Sequence, residues 1–139
     1  PRYVSWSRQN RSQLVRIPMV KGDNCRMELR SPDPACNPYL AIGLVLAAGL
    51  DGIEHRMVLQ PPVNKNLFRP GEAEGLGLEM LPATLEEAVA IAEESDFLHK
   101  VLPEALSRRY FAEERARCEA LRAAADPAEY ERIHYFNAI

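Results

Sequence analysis

The spacing of apolar and polar positions changes character part-way along the chain. Three short runs, Arg2 to Trp6, Leu14 to Pro18 and Cys25 to Arg30, predict brief strands. Between the last two, Lys21-Gly22-Asp23-Asn24 is dense in turn formers and predicts a hairpin. Ser31-Pro32-Asp33-Pro34 then stops the third strand, because proline donates no ladder hydrogen bond. Asn37-Pro38 is an N-cap with proline at the first helical position, and it opens a helix expected over 37–57. That helix is apolar nearly all round through Leu50, which marks it as a core helix lying deep in its parent fold.

Residues 58–83 lose all periodicity. With Pro61, Pro62, Pro70 and Pro82 they predict an irregular connecting loop. Residues 84–139 are expected to be helical. Thr84-Leu85-Glu86-Glu87 is a capping box, followed by an apolar stripe of Leu85, Ala88, Val89 and Ala92. A charged helix from about Pro103 to Ala124 carries Leu106, Tyr110, Cys118 and Leu121 as its apolar positions. Asp126-Pro127 restarts a last helix, which ends in Ile133, Tyr135, Phe136 and Ile139, apolar side chains that need cover. The fold class is therefore α+β, a small antiparallel sheet in 1–36 followed by a helical C-terminal half.

Composition narrows the picture. A chain of 139 residues, 47% hydrophobic and 27% charged, fits one ordinary globular domain. No apolar run reaches the roughly 18 residues of a membrane span, so no membrane role is expected. Pro1-Arg2-Tyr3 is neither a signal peptide nor an initiator methionine and reads as the start of a fragment or a processed chain. Cys25, Cys36 and Cys118 have no metal-binding spacing. Three sparse thiols point to a reducing compartment, the cytoplasm.

Charge changes the picture more. Residues 1–30 hold seven Arg/Lys against two acids, so a strongly basic segment sits inside a chain of net charge −3. It lacks the lysine density and interleaved aromatics of a strand-binding groove, which argues against nucleic acid and for a local anionic ligand. Arg26, Glu28 and Arg30 alternate along one strand and should stand on one face about 7 Å apart per pair. Arg11 and Arg16 precede them. Arginine forks suit phosphate and carboxylate oxygens, and a carboxylate between cations suits magnesium. The same row also fits an ion-pair ladder on a solvated sheet face, and charge pattern alone does not separate the two.

The wider motif bears on that choice. Asn10-Arg11-Ser12, Arg16-Ile17-Pro18 and Arg26-x-Glu28-x-Arg30-x-Pro32-Asp33-Pro34-x-x-Asn37-Pro38-Tyr39-Leu40 resemble the carboxy-terminal part of the catalytic domain of bacterial-type (type I) glutamine synthetases. The likeness continues through Ala47-Ala48-Gly49-Leu50-Asp51-Gly52-Ile53 and Asn66-Leu67 to the closing helices. It implies a ligase that joins ammonia to glutamate, using ATP to form a γ-glutamyl phosphate, with magnesium or manganese as cofactor.

Residue by residue, the resemblance implies that Glu28 is a metal ligand and that Arg30 contacts glutamate and the transferring phosphoryl group. It makes Arg11 a contact to both ATP and glutamate, and Arg16 and Arg26 nucleotide-binding. Lys21 is out of register with a nucleotide-binding lysine of some members and carries no assignment. Phe68 stands where adenylylated members have tyrosine, which implies that this control is absent.

The resemblance also implies that the remaining metal ligands, the ammonia-site acid and the glutamate-gating loop lie upstream, so that these residues alone are inactive. It further implies a double-ring dodecamer for the parent, with the apolar end around Ile133 to Ile139 inserting into the opposing ring. Two other readings stay open here. One is a γ-glutamyl ligase that uses a polyamine or another amine, since acyl-phosphate chemistry is shared. The other is a non-catalytic nucleotide-binding or assembly module. His55, His99 and His134 are scattered and read as packing or surface residues, Cys36 as packing, and Asp33 and Asn37 as turn former and cap.

Overall fold

The turn formers at 21–24 do reverse the chain. In the computed structural model, which describes residues 1–136, three two-residue strands form one sheet. They are β1 (Trp6–Ser7), β2 (Val15–Arg16) and β3 (Glu28–Leu29), in that order. β2 and β3 pair antiparallel, with Val15 opposite Leu29 and Arg16 opposite Glu28. The reversal runs through a short 3-10 turn, Gly22–Asn24, and Gly22 takes a φ of +64° that a side chain would strain.

β1 runs parallel to β2, so the sheet is mixed rather than wholly antiparallel. The loop joining them turns twice instead of once. It is tied by its own polar side chains: the Asn10 amide donates to Ser7 Oγ at 2.9 Å and the Ser12 amide to Asn10 Oδ1 at 2.9 Å. With strands of two residues, that short tied loop replaces the long crossover that parallel pairs ordinarily need.

The first predicted strand divides between two partners. Tyr3 bridges Met80, the Val4 amide donates to Glu79 at 2.8 Å, and the Leu81 amide donates to Arg2 at 2.8 Å. Only Trp6 and Ser7 join β2. The irregular segment 58–83 thus closes back onto the start of the chain.

α1 (Pro38–Glu54) begins where the Asn37-Pro38 signal puts it. Asn37 Oδ1 accepts the amides of Tyr39 and Leu40 at 3.0 and 3.3 Å. No residue of α1 is buried within this chain. Tyr39, Ile42, Leu46, Leu50 and Ile53 form an exposed stripe at helical spacing.

Residues 1–81 form one unit and 82–139 a second. The most deeply covered side chains of the first are polar: Gln13, Ser7 and Ser12 are 0–1% exposed, whereas Leu67 keeps 7%. Burial of polar groups is tolerable only when they are paired, and among the described residues none of their buried side-chain atoms lacks a partner.

The second unit is helical, as expected, with α2 (Leu85–Glu93), α3 (Asp96–Val101), α4 (Glu104–Ala123) and α5 (Pro127–Glu131), followed by a π-helical turn, Arg132–Phe136. Thr84 Oγ1 accepts the Glu87 amide at 3.2 Å, and Glu87 reaches back to the Ala83 amide at 2.7 Å, one residue beyond the usual box. Ser95 caps α3, and Asp126 caps α5 through the amides of Ala128 and Glu129. α4 turns a different face inward from the one its apolar positions suggested. Ser107, Phe111 and Glu114 are buried, while Leu106 is 40% exposed. Among the described residues, Phe111 and Val89 of α2 are the buried apolar side chains of this unit. Of the apolar end, Ile133 and Phe136 are exposed, and Ile139 lies outside the described residues.

With so few buried apolar side chains, the second unit should be sensitive to losing one. Phe111→Ala is expected to cost about 3 kcal/mol. Thermal unfolding followed by far-UV circular dichroism checks this, and an unchanged midpoint would contradict it.

Candidate active site

The hairpin register decides what meets what in the basic segment. Arg16 and Glu28 are directly opposed across β2 and β3, where cross-strand side chains touch. One terminal nitrogen of Arg16, Nη1, lies 2.9 and 2.7 Å from the two Glu28 carboxylate oxygens. Arg26 reaches the same carboxylate from two residues upstream, with Nη2 3.1 Å from Oε1. The expected row with its 7 Å spacing is therefore closed up, because β3 is regular only at Glu28 and Leu29. Arg26, just outside it, is free to fold over the carboxylate. Hydrogen bonds from Arg16, and secondarily from Arg26, hold the Glu28 carboxyl below its ordinary value of 4.5.

Arg30 leaves this group. Its Nε donates to the carbonyl of Arg11 at 3.0 Å, while its amide continues the ladder to Leu14 at 2.9 Å. Arg16 does similar work with its inner nitrogen, since Nε donates to the Gln9 carbonyl at 3.2 Å. Two arginines thus brace the backbone of the loop between β1 and β2 from one side. Arg11 itself projects from that loop, exposed and with no ion pair among the described residues.

Sequence reasoning placed Arg11, Arg16, Arg26, Glu28 and Arg30 in one site. Here they form two linked groups: Arg16, Arg26 and Glu28 by ion pairing, and Arg11 and Arg30 through a backbone contact. What it missed is the polar scaffold behind Arg11. Asn10 Nδ2 and Gln13 Nε2 both donate to the Lys65 carbonyl, at 2.6 and 2.9 Å, and Ser12 Oγ accepts the Leu67 amide at 2.9 Å. The only sequence signal for this was an unbroken polar run, Ser7 to Gln13, ahead of a strand.

As for a metal, the donor chemistry at Glu28 is right and the donor number is not. Among the described residues no three His, Cys, Asp or Glu side chains gather into a metal-binding group. Both Glu28 oxygens are engaged by guanidinium groups, so the residues present do not by themselves make a metal centre.

The histidines are accounted for locally. His55 pairs with Asp51 one turn earlier, His99 meets the Glu93 carbonyl, and His134 stacks on Tyr130 at 3.9 Å between ring centroids. Phe68 is 63% exposed, in a turn where its amide donates to Asn66 Oδ1.

A family model described as "Glutamine synthetase, catalytic domain" matches residues 1–133. The chain belongs to that family. Among its glutamine synthetase relatives, one from Methanosarcina mazei is 42% identical over 95% of this chain and 30% of its own length. One from Methanocaldococcus jannaschii is 40% identical over 89% of this chain and 28% of its own. One from Staphylococcus aureus is 42% identical over 73% of this chain and 23% of its own. The chain therefore spans less than a third of these glutamine synthetases, and the Arg/Glu cluster lies in the stretch it shares with the family model. No helix among the described residues is long and apolar enough to cross a membrane.

The Glu28 pairing has a pH consequence. A carboxyl whose pKa is lowered on folding contributes stability above its unfolded pKa and loses it as pH falls through the folded value. Acidification below about pH 4.5 should therefore loosen the hairpin 15–30 slightly, read as faster amide exchange at Arg30. Glu28→Gln should lack this component of the pH dependence. An identical acid profile in both proteins would refute the assignment.

Proposed function

We propose that this chain supplies one wall of a glutamine synthetase active site, of the bacterial type, in which ATP phosphorylates the γ-carboxylate of glutamate and ammonia then displaces phosphate. The observation that carries this reading is the convergence of Arg16 and Arg26 on Glu28, beside Arg11 and Arg30, in a chain of this family. Phosphoryl transfer puts negative charge on transferring and leaving oxygens, and preorganised guanidinium donors stabilise that charge most effectively. Arg16 and Arg26 hold the nucleotide phosphates in this reading. Arg11 meets ATP and glutamate, and Arg30 meets glutamate and the phosphoryl group in flight.

Glu28 draws two arginines onto one carboxylate and holds them aimed. Magnesium or manganese, if bound, would take the Glu28 carboxylate as the ligand this chain offers and would supply neutralisation of phosphate charge, its further oxygens coming from outside these residues. The relatives' names favour glutamine formation over ligation of another amine.

The exposed stripe of α1 suits burial against the rest of a catalytic domain, and exposed Ile133 and Phe136 suit an oligomer contact in a double ring. Phe68 offers no hydroxyl for adenylylation. The setting proposed is the cytoplasm.

Calorimetric titration with ATP tests the core of this. Magnesium should tighten ATP binding to the chain, and Glu28→Ala should remove at least about tenfold of that affinity, the scale on which metal-site partners act. Binding that ignores both magnesium and the substitution would overturn it.

A further inference from the structure

We propose that Gln13 is a positioning residue for the Arg11 guanidinium, acting through the carbonyl of Lys65; the inference rests on the nucleotide-binding role proposed for Arg11. Gln13 is 0% exposed, yet its side chain is wholly polar, so its place depends on hydrogen bonds and not on apolar fit. Its Nε2 donates to the Lys65 carbonyl at 2.9 Å and its Oε1 accepts from Ser5 Oγ.

The donors at Lys65 can be resolved by counting protons. Asn10 Nδ2 stands 2.6 Å from that carbonyl and Ser12 Oγ 3.4 Å. A hydroxyl has one proton, and Ser12 spends it on Asn10 Oδ1 at 2.8 Å. Asn10 and Gln13 are thus the two donors that fill the two lone pairs of Lys65. Arg11 lies between the tied residues Asn10 and Ser12, and its own carbonyl is held by Arg30. The backbone beneath Arg11 is fixed from both sides, which leaves an exposed long side chain rooted at a defined point.

Removing the Gln13 donor leaves one lone pair of the Lys65 carbonyl without its side-chain partner and loosens the 65–67 segment from the Arg11 loop. The loss should appear at Arg11 and nowhere else in ligand binding. A double-mutant cycle on the whole chain, read as magnesium-ATP affinity by calorimetry, isolates that coupling. Gln13→Leu is expected to weaken binding about tenfold in the native background and less than about twofold in an Arg11→Ala background.

Should Gln13→Leu fail to fold, Ser5→Ala takes its place, since it removes only the hydroxyl that supports Oε1. A smaller loss is then expected, again confined to the background that retains Arg11. Equal losses in both backgrounds, or no loss in the native one, would overturn the positioning role while leaving the proposed function standing. Absence of any magnesium-ATP binding by the native chain would remove both.

Discussion

Glu28 faces Arg16 across the hairpin and Arg26 along its own segment, so the basic end of the chain is folded around a single negative charge. Without that carboxylate, two guanidinium groups would repel each other at the place where both now reach Glu28. With it they are aimed, a quarter of the Glu28 side chain remaining open to solvent. Exposed ion pairs contribute little to stability on their own. The pairing matters for placement: it sets the direction of donors before any phosphate arrives.

A second constraint supports the first. The strands are two residues long, too short for ladder hydrogen bonds to hold the unit alone. Side-chain amides and hydroxyls supply what the ladders lack. Asn10, Ser12 and Gln13 bind the loop between β1 and β2 to the segment at Lys65 and Leu67, while Arg16 and Arg30 brace it from the hairpin. Trp6 adds a further tie, its Nε1 donating to the Gln60 carbonyl at 2.6 Å. The first unit is therefore held largely by polar connections, while the apolar stripe of α1 stays uncovered within this chain.

This division explains what the sequence could and could not reveal. Local chemistry was legible. The caps at Asn37, Thr84 and Asp126, the proline stops and the turn at 21–24 depend on neighbours in sequence, and each stands where expected. The meeting of Arg16 and Arg26 with Glu28 was legible as a charged cluster in the sequence. The parallel pairing of β1 and β2, the division of the first strand between Met80 and Val15, and the Gln13 contact with Lys65 were not. The last two join residues far apart in sequence, and the first depends on a short polar loop with no periodicity to betray it. The inward face of α4 was hidden for another reason. Ser107 and Glu114 look like surface residues, yet Ser107 bonds back to the Glu104 carbonyl and Glu114 is paired with Arg117.

The account turns on whether the arginines around Glu28 receive a nucleotide. Side-chain NMR signals of the arginine Nε–H groups, followed during titration with magnesium-ATP, address that directly. Arg11, Arg16 and Arg26 should shift together, with Arg115 and Arg122, which pair with Glu93 and Glu86 in the second unit, unmoved. Shifts confined to Arg115 and Arg122, or none at all, would contradict the central claim.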